Sequence, residues 1–487
     1  MTLQPSFSAV KTTQRRRRSP SIISNPAYSR MNNRLALILL GIILLSPLPL
    51  GSHRPVWWMV WGLVIGLVTA IYMLSGRNAG SDRPLRLKFY RGILLVVLPV
   101  PLFALLQSVP IAALLPASWI SLPDAVSAAL PQALVTISIV PATSVVGALR
   151  SVIFGLFFVL MLETASQSDR IRRISFFLFL GVAGHAALGL LLLKVMGDTA
   201  PWGEKEFSLG AATAGFVNRN SFATFLGFGL CLGIATLMER GDRPQTRTSR
   251  KSNILNVSSI ESMALGMLVG LILLALLATQ SRLGLVSSLT GGILTFVLMQ
   301  ARRDVGWFRL IAQTLALVVF ALFATFGFVG GGVVDRLLFL MGDTEGRMDI
   351  YRQMLTMIAA RPLTGFGWDA FAPAFEMFRT LPVTSAAQVN LGHNTYLTLW
   401  VELGLVVGSL PLVALAMIAW RCLQNYRHRT SLIAPPAAAM GAMLTAGLHS
   451  LGDFSLEIQA NVFLFLAILA LGIARHRGET DFVAKAE

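Results

Sequence analysis

Two arginines and one histidine occupy the starts of three apolar segments of this chain. Arg219 is flanked by two asparagines, Arg282 follows Ser281, and His393 stands in Gly-His-Asn-Thr-Tyr. Guanidinium groups match phosphate oxygens bidentately and stay charged at any working pH. A histidine that titrates near neutrality can take a proton from an attacking hydroxyl. Together these residue types predict group transfer from a diphosphate-linked donor to a hydroxyl acceptor.

The segments that carry these residues are hydrophobic enough to cross a membrane. Of the 487 residues, 55% are hydrophobic and only 13% are charged, whereas a soluble protein has about a quarter charged residues. Apolar runs of about 17–25 residues recur along the chain, and each can cross a hydrocarbon layer as a helix. The composition therefore predicts an all-α, polytopic integral membrane protein. Twelve transmembrane helices are predicted, at 35–51, 56–74, 92–115, 144–163, 174–196, 217–238, 262–279, 283–300, 308–330, 395–420, 432–450 and 457–474.

The distribution of basic residues predicts the orientation of these helices. Most of the 40 lysines and arginines fall in the segments that are cytoplasmic if the N-terminus is inside, as the positive-inside rule requires. An even number of spans then puts both termini in the cytoplasm. The net charge of +17 is explained by this bias and by attraction to anionic membrane lipids. No nucleic-acid partner is needed.

One long polar loop divides the chain. The predicted organisation is a disordered basic tail at 1–34, nine helices within 35–330, a partly helical outer loop at 331–394, three helices within 395–474 and a short tail at 475–487. The loop is predicted to contain a helix over 347–360, a Gly365–Trp368 turn and a short helix near 371–378. Four arginines in this loop, Arg347, Arg352, Arg361 and Arg379, form a surface for acidic sugar or serve loop solubility.

Each charged residue also has a structural interpretation. An interfacial arginine often only extends its charge to water, and a histidine or aspartate at a helix entry is often a cap. However, Arg219, Arg282, His393 and Asp453 all fall on the same predicted membrane face, and intramembrane charge tends to mark a substrate site. We therefore predict His393 as the catalytic base and the two arginines as the diphosphate site. The predicted supporting residues are Asn218, Asn220, Arg347, Asn394, Tyr396 and Asp453. No metal site and no cofactor are predicted.

Several motifs in the stretch from about 216 to 410 follow one another in a fixed order. They are Asn-Arg-Asn-Ser-Phe-Ala from Asn218, Ser281-Arg282, Gly346-Arg347 through Arg361 to Gly367, and His393-Asn394-Thr395-Tyr396-Leu397 with Glu402-Leu403-Gly404. Together they resemble the O-antigen ligase and O-antigen polymerase superfamily. The resemblance implies a GT-C-like, membrane-embedded glycosyltransferase of the bacterial inner membrane. It further implies an inverting, metal-independent reaction on undecaprenyl-diphosphate glycans at the periplasmic face, with Arg219, Arg282 and His393 as the functional trio.

The resemblance leaves the acceptor open. A ligase passes the glycan to lipid A core, a polymerase passes it to another lipid-linked repeat of O-antigen, exopolysaccharide or capsule, and some relatives glycosylate protein. We lean towards a polymerase. The alternative class is a polysaccharide flippase or another transporter, but transporters usually keep their polar groups near the membrane midplane.

Three further residues carry structural predictions. His185, near the middle of the fifth predicted span, is expected to be a neutral histidine that bonds to a neighbouring helix. Glu402 follows His393 by nine residues and so faces the other side of a helix, where it anchors the tenth span to a neighbour. Pro411 is predicted to kink that span.

Overall fold

The structure is almost entirely helical. The computed structural model describes residues 26–78, 87–124, 126, 135–241, 257–303, 306–328, 333–383 and 389–475. Among these residues the only sheet is an antiparallel pair, β1 (Thr199–Ala200) and β2 (Gly203–Glu204). The described α-helices are α1 (Pro26–Leu45), α2 (Pro55–Asn78), α3 (Leu87–Val97), α4 (Pro99–Gln107), α5 (Pro141–Thr164), α6 (Ser168–Lys194), α7 (Arg219–Gly241), α8 (Val257–Ala278), α9 (Arg282–Gln300), α10 (Trp307–Phe328), α11 (Val333–Ala360), α12 (Phe371–Phe378), α13 (Thr395–His428), α14 (Ala434–His449) and α15 (Gln459–Ile473).

Seven of the described helices are long and apolar enough to cross a membrane. They are α2, α5, α6, α7, α8, α9 and α13, and two shorter apolar helices lie at Arg91–Gln107 and Gln459–Ile473. The protein is therefore a multi-pass membrane protein. Each of the twelve predicted spans overlaps a described helix, but the count of twelve stays a prediction.

Several boundaries differ from the sequence prediction, and the loop helix predicted over 347–360 begins earlier, at Val333. α1 begins at Pro26, inside the segment predicted as a disordered tail, while residues 1–25 and 476–487 lie outside the described part. The single span predicted at 92–115 is instead two helices, α3 and α4. The break falls at Pro99, because a proline without an N–H is favoured in the first turn of a new helix.

α7 is the central helix of the bundle. In its most apolar stretch 89% of the residues are buried, against 50% or less in the other candidate spans. It packs against α9 and α14, which also pack closely against each other. A Cβ on Gly291 of α9 would lie 2.0 Å from the Thr445 Oγ1 and 2.4 Å from the Gly441 carbonyl oxygen of α14. Small residues thus let these helices approach closely, as they do in membrane bundles, and fix the ends of α7, α9 and α14 relative to one another.

α13 is interrupted at Gly404, seven residues before Pro411, and the kink at Pro411 stays a prediction. Gly404 has φ +73° and ψ 168°, a backbone conformation that is open essentially only to glycine. Elements of the long loop complete the hydrogen bonding at the break. The Phe366 N–H donates to the Val401 carbonyl at 2.9 Å, and the Leu405 N–H donates to the Pro362 carbonyl at 2.7 Å. Satisfied backbone groups are what a broken helix requires inside a membrane.

Arg361 is a structural residue that joins two loops. Its side chain is fully buried, and its guanidinium donates to the carbonyls of Ser121 (2.9 Å), Ile137 (3.0 Å) and Ile120 (2.8 Å). Both roles offered for this arginine, an acidic-sugar surface and loop solubility, are therefore wrong. A buried donor with several carbonyl acceptors fixes the long loop against the loop that precedes α5.

The other single-residue predictions have mixed outcomes. His185 donates from Nε2 to the Leu44 carbonyl of α1 at 2.8 Å, which confirms a histidine that bonds to a neighbouring helix. Glu402 accepts from the Phe371 N–H at 3.1 Å. Its side chain therefore anchors α13 to the long loop, and its backbone carbonyl accepts from Gln107 Nε2 of α4 at 2.8 Å.

Candidate active site

Three helices begin at the same end of the bundle, which we call the site end. Arg219 is the first residue of α7, Arg282 is the first residue of α9, and His393 stands two residues before the first residue of α13. The N-terminus of a helix carries free N–H groups and a partial positive charge, so it favours anions. Each predicted functional residue is therefore next to a helix end that adds to its positive potential.

Short polar side chains cap or close these helix starts. Asn218 Oδ1 accepts from the Asn220 N–H at 2.7 Å, and Ser281 Oγ accepts from the Gly284 N–H at 3.2 Å. Asn394 is the N-cap of α13, and its Oδ1 accepts from the Leu397 N–H at 3.1 Å. The structural interpretation of His393 as a helix cap is therefore wrong, because its neighbour already fills that position.

One hydrogen-bonded network joins the three helix starts. The Ser281 hydroxyl donates to Asn220 Oδ1 at 2.7 Å, which links α9 to α7. Asn220 Nδ2 donates to Asp453 Oδ1 at 3.1 Å, and the Thr395 hydroxyl donates to the Asp453 carbonyl at 3.3 Å. Asp453 is fully buried and also accepts from the Ser455 hydroxyl. It therefore connects the helix starts and is not a helix cap.

The turn that contains Asp453 also holds the start of α13. Asn394 Nδ2 donates to the Leu451 carbonyl at 3.1 Å, and the Thr395 N–H donates to the Ser450 carbonyl at 3.1 Å. The Tyr396 hydroxyl donates to the Gly447 carbonyl at 2.8 Å. Asn394 and Tyr396, predicted as supporting residues, thus fix α13 against the end of α14.

α11 contributes a third arginine to the site end. Arg347 Nη1 donates to the Gly452 carbonyl at 3.1 Å. A Cβ on Gly452 would lie 2.8 Å from Leu283 Cδ2 and 3.7 Å from Arg347 Nη1. The side chains of Arg347 and Leu283 therefore meet at the turn that contains Asp453.

His393 has an environment that keeps its imidazole neutral. The residue has φ +50°, and its ring meets the Phe454 ring edge-on with a centroid distance of 5.0 Å. Nδ1 is buried and has no hydrogen-bond partner among the described atoms. Burial lowers the pKa of the imidazole, the Arg347 charge lowers the pKa further, and the Asp453 carboxylate opposes the change. A neutral ring is able to accept a proton.

Arg219 and Arg282 have guanidinium groups that are free to bind an anion. Both side chains are half-buried. Neither guanidinium forms an ion pair or a side-chain hydrogen bond with another described residue. Partly buried arginines are usually paired, and an unpaired one next to a helix N-terminus suits phosphate oxygens.

Comparison with known proteins identifies the region that contains much of this site. Residues 267–412 match the family model described as O-antigen ligase. The resemblance to the O-antigen ligase family is confirmed. The matched region begins later than the stretch that the motifs suggested. It includes Arg282, Arg347 and His393, whereas Arg219 and Asp453 join it through the hydrogen-bonded network. No curated protein matches the chain.

Tyr351 lies in the matched region but was missed in the sequence. Its hydroxyl is 2.7 Å from the His393 carbonyl and 3.3 Å from the Leu451 carbonyl. It follows Arg347 by four residues and so lies on the same face of α11. The four-residue spacing from Arg347 was the sequence feature that could have identified Tyr351 as part of the site.

A buried ion pair beside the break in α13 was also missed. Arg150 of α5 lies 3.2 Å from Asp369 of the long loop and stacks over the Trp58 ring at 4.2 Å. The Ser144 hydroxyl donates to the Trp368 carbonyl at 3.0 Å. A charge within a predicted span was the signal for Arg150. These contacts fix the long loop in the bundle, beside the break in α13.

Within the described residues, no three His, Cys, Asp or Glu side chains are grouped so that they could hold a metal ion. The polar chemistry at the site end is that of arginine, histidine and short hydrogen-bonding side chains.

Proposed function

We propose that this protein transfers a glycan from undecaprenyl diphosphate to an acceptor hydroxyl in the assembly of a bacterial surface polysaccharide. The observation that carries the proposal is the network through Asn220, Ser281, Thr395 and Asp453, because it brings together the starts of the helices at which Arg219, Arg282 and His393 stand. The match to the O-antigen ligase family supports the same role. The basic inner loops of the sequence support a site that faces the periplasm.

In the proposed reaction His393 is the general base. The imidazole takes the proton of the acceptor hydroxyl, and the oxygen attacks the anomeric carbon of the donor sugar. A new glycosidic C–O bond forms as the bond between that carbon and the diphosphate oxygen breaks. The bonding electron pair leaves with undecaprenyl diphosphate, and attack opposite to the leaving group inverts the anomeric centre. The lowered pKa of His393 supports a base that is neutral at pH 7.

The two arginines stabilise the leaving group in this proposal. Negative charge develops on the diphosphate as the glycosidic bond breaks, and preorganised positive groups lower the barrier to that step. Arg219 and Arg282, together with the partial positive charge at the starts of α7 and α9, supply such charge. The undecaprenyl chain remains in the membrane, and membrane lipids are therefore further partners of the protein.

The acceptor is a sugar hydroxyl of a second lipid-linked repeat, for a polymerase, or of lipid A core, for a ligase. A purified sample tests both if it is given a labelled undecaprenyl-diphosphate glycan with each acceptor in turn. Lengthened lipid-linked glycan identifies a polymerase, and labelled lipid A core identifies a ligase. The control variant for these assays is Arg352→Ala. It removes an arginine of the same loop that is exposed and pairs with Asp349. A flippase would instead move the labelled lipid across proteoliposomes without forming a new glycosidic bond, and that result would refute the proposal.

A further inference from the structure

The segment between α6 and α7 contains a hairpin with an ion pair inside it. β1 and β2 pair across a tight turn. The Lys205 side chain is only 4% exposed, pairs with Asp198, and donates to the Ala211 carbonyl at 2.8 Å. Asp198 Oδ2 accepts from the Gly210 N–H at 2.6 Å. Lys205 and Asp198 thus find their partners within this segment.

The outward surface of the same hairpin is strongly apolar. Trp202 is 45% exposed, Phe207 63% and Leu209 66%. In water, charged side chains rather than large apolar ones are expected at such positions, so this surface fits contact with lipid. Glu204 and Glu206 are also exposed, which restricts the hairpin to the membrane interface, where Trp is also favoured.

The hairpin is attached to both arginine-bearing helix starts. The Arg219 N–H donates to Ser208 Oγ at 3.3 Å. Gln280, two residues before Arg282, donates from Nε2 to the Gly210 carbonyl at 2.8 Å. Ser208 and Gly210 flank Leu209 directly. The apolar surface therefore begins within one residue of the atoms that hold the hairpin to the proposed diphosphate site.

We propose that Trp202, Phe207 and Leu209 bind the isoprenoid chain of the polyprenyl-diphosphate donor where it leaves the diphosphate. This inference rests on the proposed function. A donor whose diphosphate is held by Arg219 and Arg282 must place its adjoining hydrocarbon against an apolar surface beside them, and the hairpin is such a surface. An ordinary phospholipid has no diphosphate to bring its chains to this position.

The test is a kinetic comparison in detergent micelles, where no phospholipid leaflet is present. Phe207→Ser should raise the KM for an undecaprenyl-diphosphate glycan about tenfold, because burial of a large apolar side chain is worth that much or more. The kcat at saturation should remain unchanged, which also shows that the variant is folded. Phe308→Ser is the matched control, since Phe308 is 70% exposed but lies near the opposite end of the bundle, and its KM should equal that of the unmodified protein.

Photocrosslinking supplies a second measurement. A benzophenone side chain at position 207 should capture the labelled donor, and undecaprenyl diphosphate without glycan should compete with it. An unchanged KM in micelles, or capture that phosphatidylglycerol suppresses equally well, would overturn the inference and leave the hairpin as a phospholipid anchor. If the unmodified protein forms no glycosidic bond at all, it is the proposed function that fails, while capture at position 207 still reports whether the chain binds there.

Discussion

Asn220 and Asp453 stand at the centre of the network, and substituting them tests whether the network organises the proposed site. Asn220 Nδ2 donates to Asp453 Oδ1 at 3.1 Å, while Asn220 Oδ1 accepts from the Ser281 hydroxyl at 2.7 Å. Asn220→Asp preserves the shape and the bond from Ser281. It replaces the donor with a second carboxylate oxygen, so that two carboxylates face each other where one is fully buried.

The expected loss follows from the bond that is removed. A hydrogen bond to a charged group contributes about 1.5–3 kcal/mol, and each 1.36 kcal/mol corresponds to a factor of ten. If the energy of the lost hydrogen bond is felt at the helix starts that carry Arg219 and Arg282, then kcat/KM should fall by about one to two orders of magnitude. Transfer of labelled glycan by the purified variant measures it.

A second substitution should reverse the defect. In the double variant Asn220→Asp with Asp453→Asn, the amide at position 453 donates to the new carboxylate at position 220. Its carbonyl oxygen can still accept from Ser455, as Asp453 Oδ2 does now. The double variant should therefore recover most of the activity, whereas Asp453→Asn alone loses a pairing partner. Full activity of Asn220→Asp, or no recovery in the double variant, would refute an organising role and point to Asp453 as a direct participant.

The remaining predictions concern charge, proton transfer, orientation and the helix break. Arg219→Ala and Arg282→Ala should each remove most transfer activity but not membrane insertion. Lysine at either position should restore only part of that activity, because it lacks the bidentate fork. Full activity of Arg282→Lys would mean that charge alone suffices. His393→Asn should lose about 10²–10⁴-fold in rate although asparagine tolerates the positive φ, and near-normal turnover would end its assignment as base. Burial and Arg347 lower the pKa of His393 from 6.5, so transfer activity should be lost only as the pH falls below that value. Arg347→Gln removes a charge that lowers this pKa, so it should shift the loss of activity to higher pH. An unchanged pH profile would exclude coupling between the two residues. Reporter fusions at Gly365–Trp368 should lie in the periplasm, and a cytoplasmic signal would contradict the orientation. Gly404→Ala should lower the free energy of unfolding by at least about 1–3 kcal/mol, since its Cβ would lie 2.4 Å from the Leu363 carbonyl oxygen. Gly266→Ala, whose Cβ would have nothing within 4 Å, should not change it. Equal stability of the two variants would mean that the break does not require glycine.

The helices and the shared end at which Arg219, Arg282 and His393 lie were predictable because both depend on local sequence. A membrane forces long apolar runs into helices, and every predicted span overlaps a described helix. The α11 helix ends at Ala360, directly before Arg361-Pro362, and α12 spans 371–378 as expected. Polar residues at helix starts, such as Arg219 and Arg282, were visible for the same reason. The hydrogen-bond partners of the short polar side chains beside them were not predictable.

The features that were missed depend on contacts between distant parts of the chain. Gly404 looks like an ordinary helical glycine until Pro362 and Phe366 are known to bond to the backbone around it. Arg361 looks like a solvated loop residue until its acceptors near 120 and 137 are known. Sequence spacing has no information on which carbonyl oxygens will meet a guanidinium across more than two hundred residues.

The network also gives a physical reason for the three short motifs that mark this chain. In Arg219-Asn220, Ser281-Arg282 and His393-Asn394, a charged or titratable residue adjoins a short side chain that hydrogen-bonds to another element. The short side chain cannot leave the protein interior without losing that bond, and it thereby fixes the backbone of its neighbour. The neighbour keeps its own functional group unpaired, as Arg219, Arg282 and His393 Nδ1 do. A site built in this way has its positive groups in place before a diphosphate arrives, which is the condition under which electrostatic stabilisation of a leaving group is strongest.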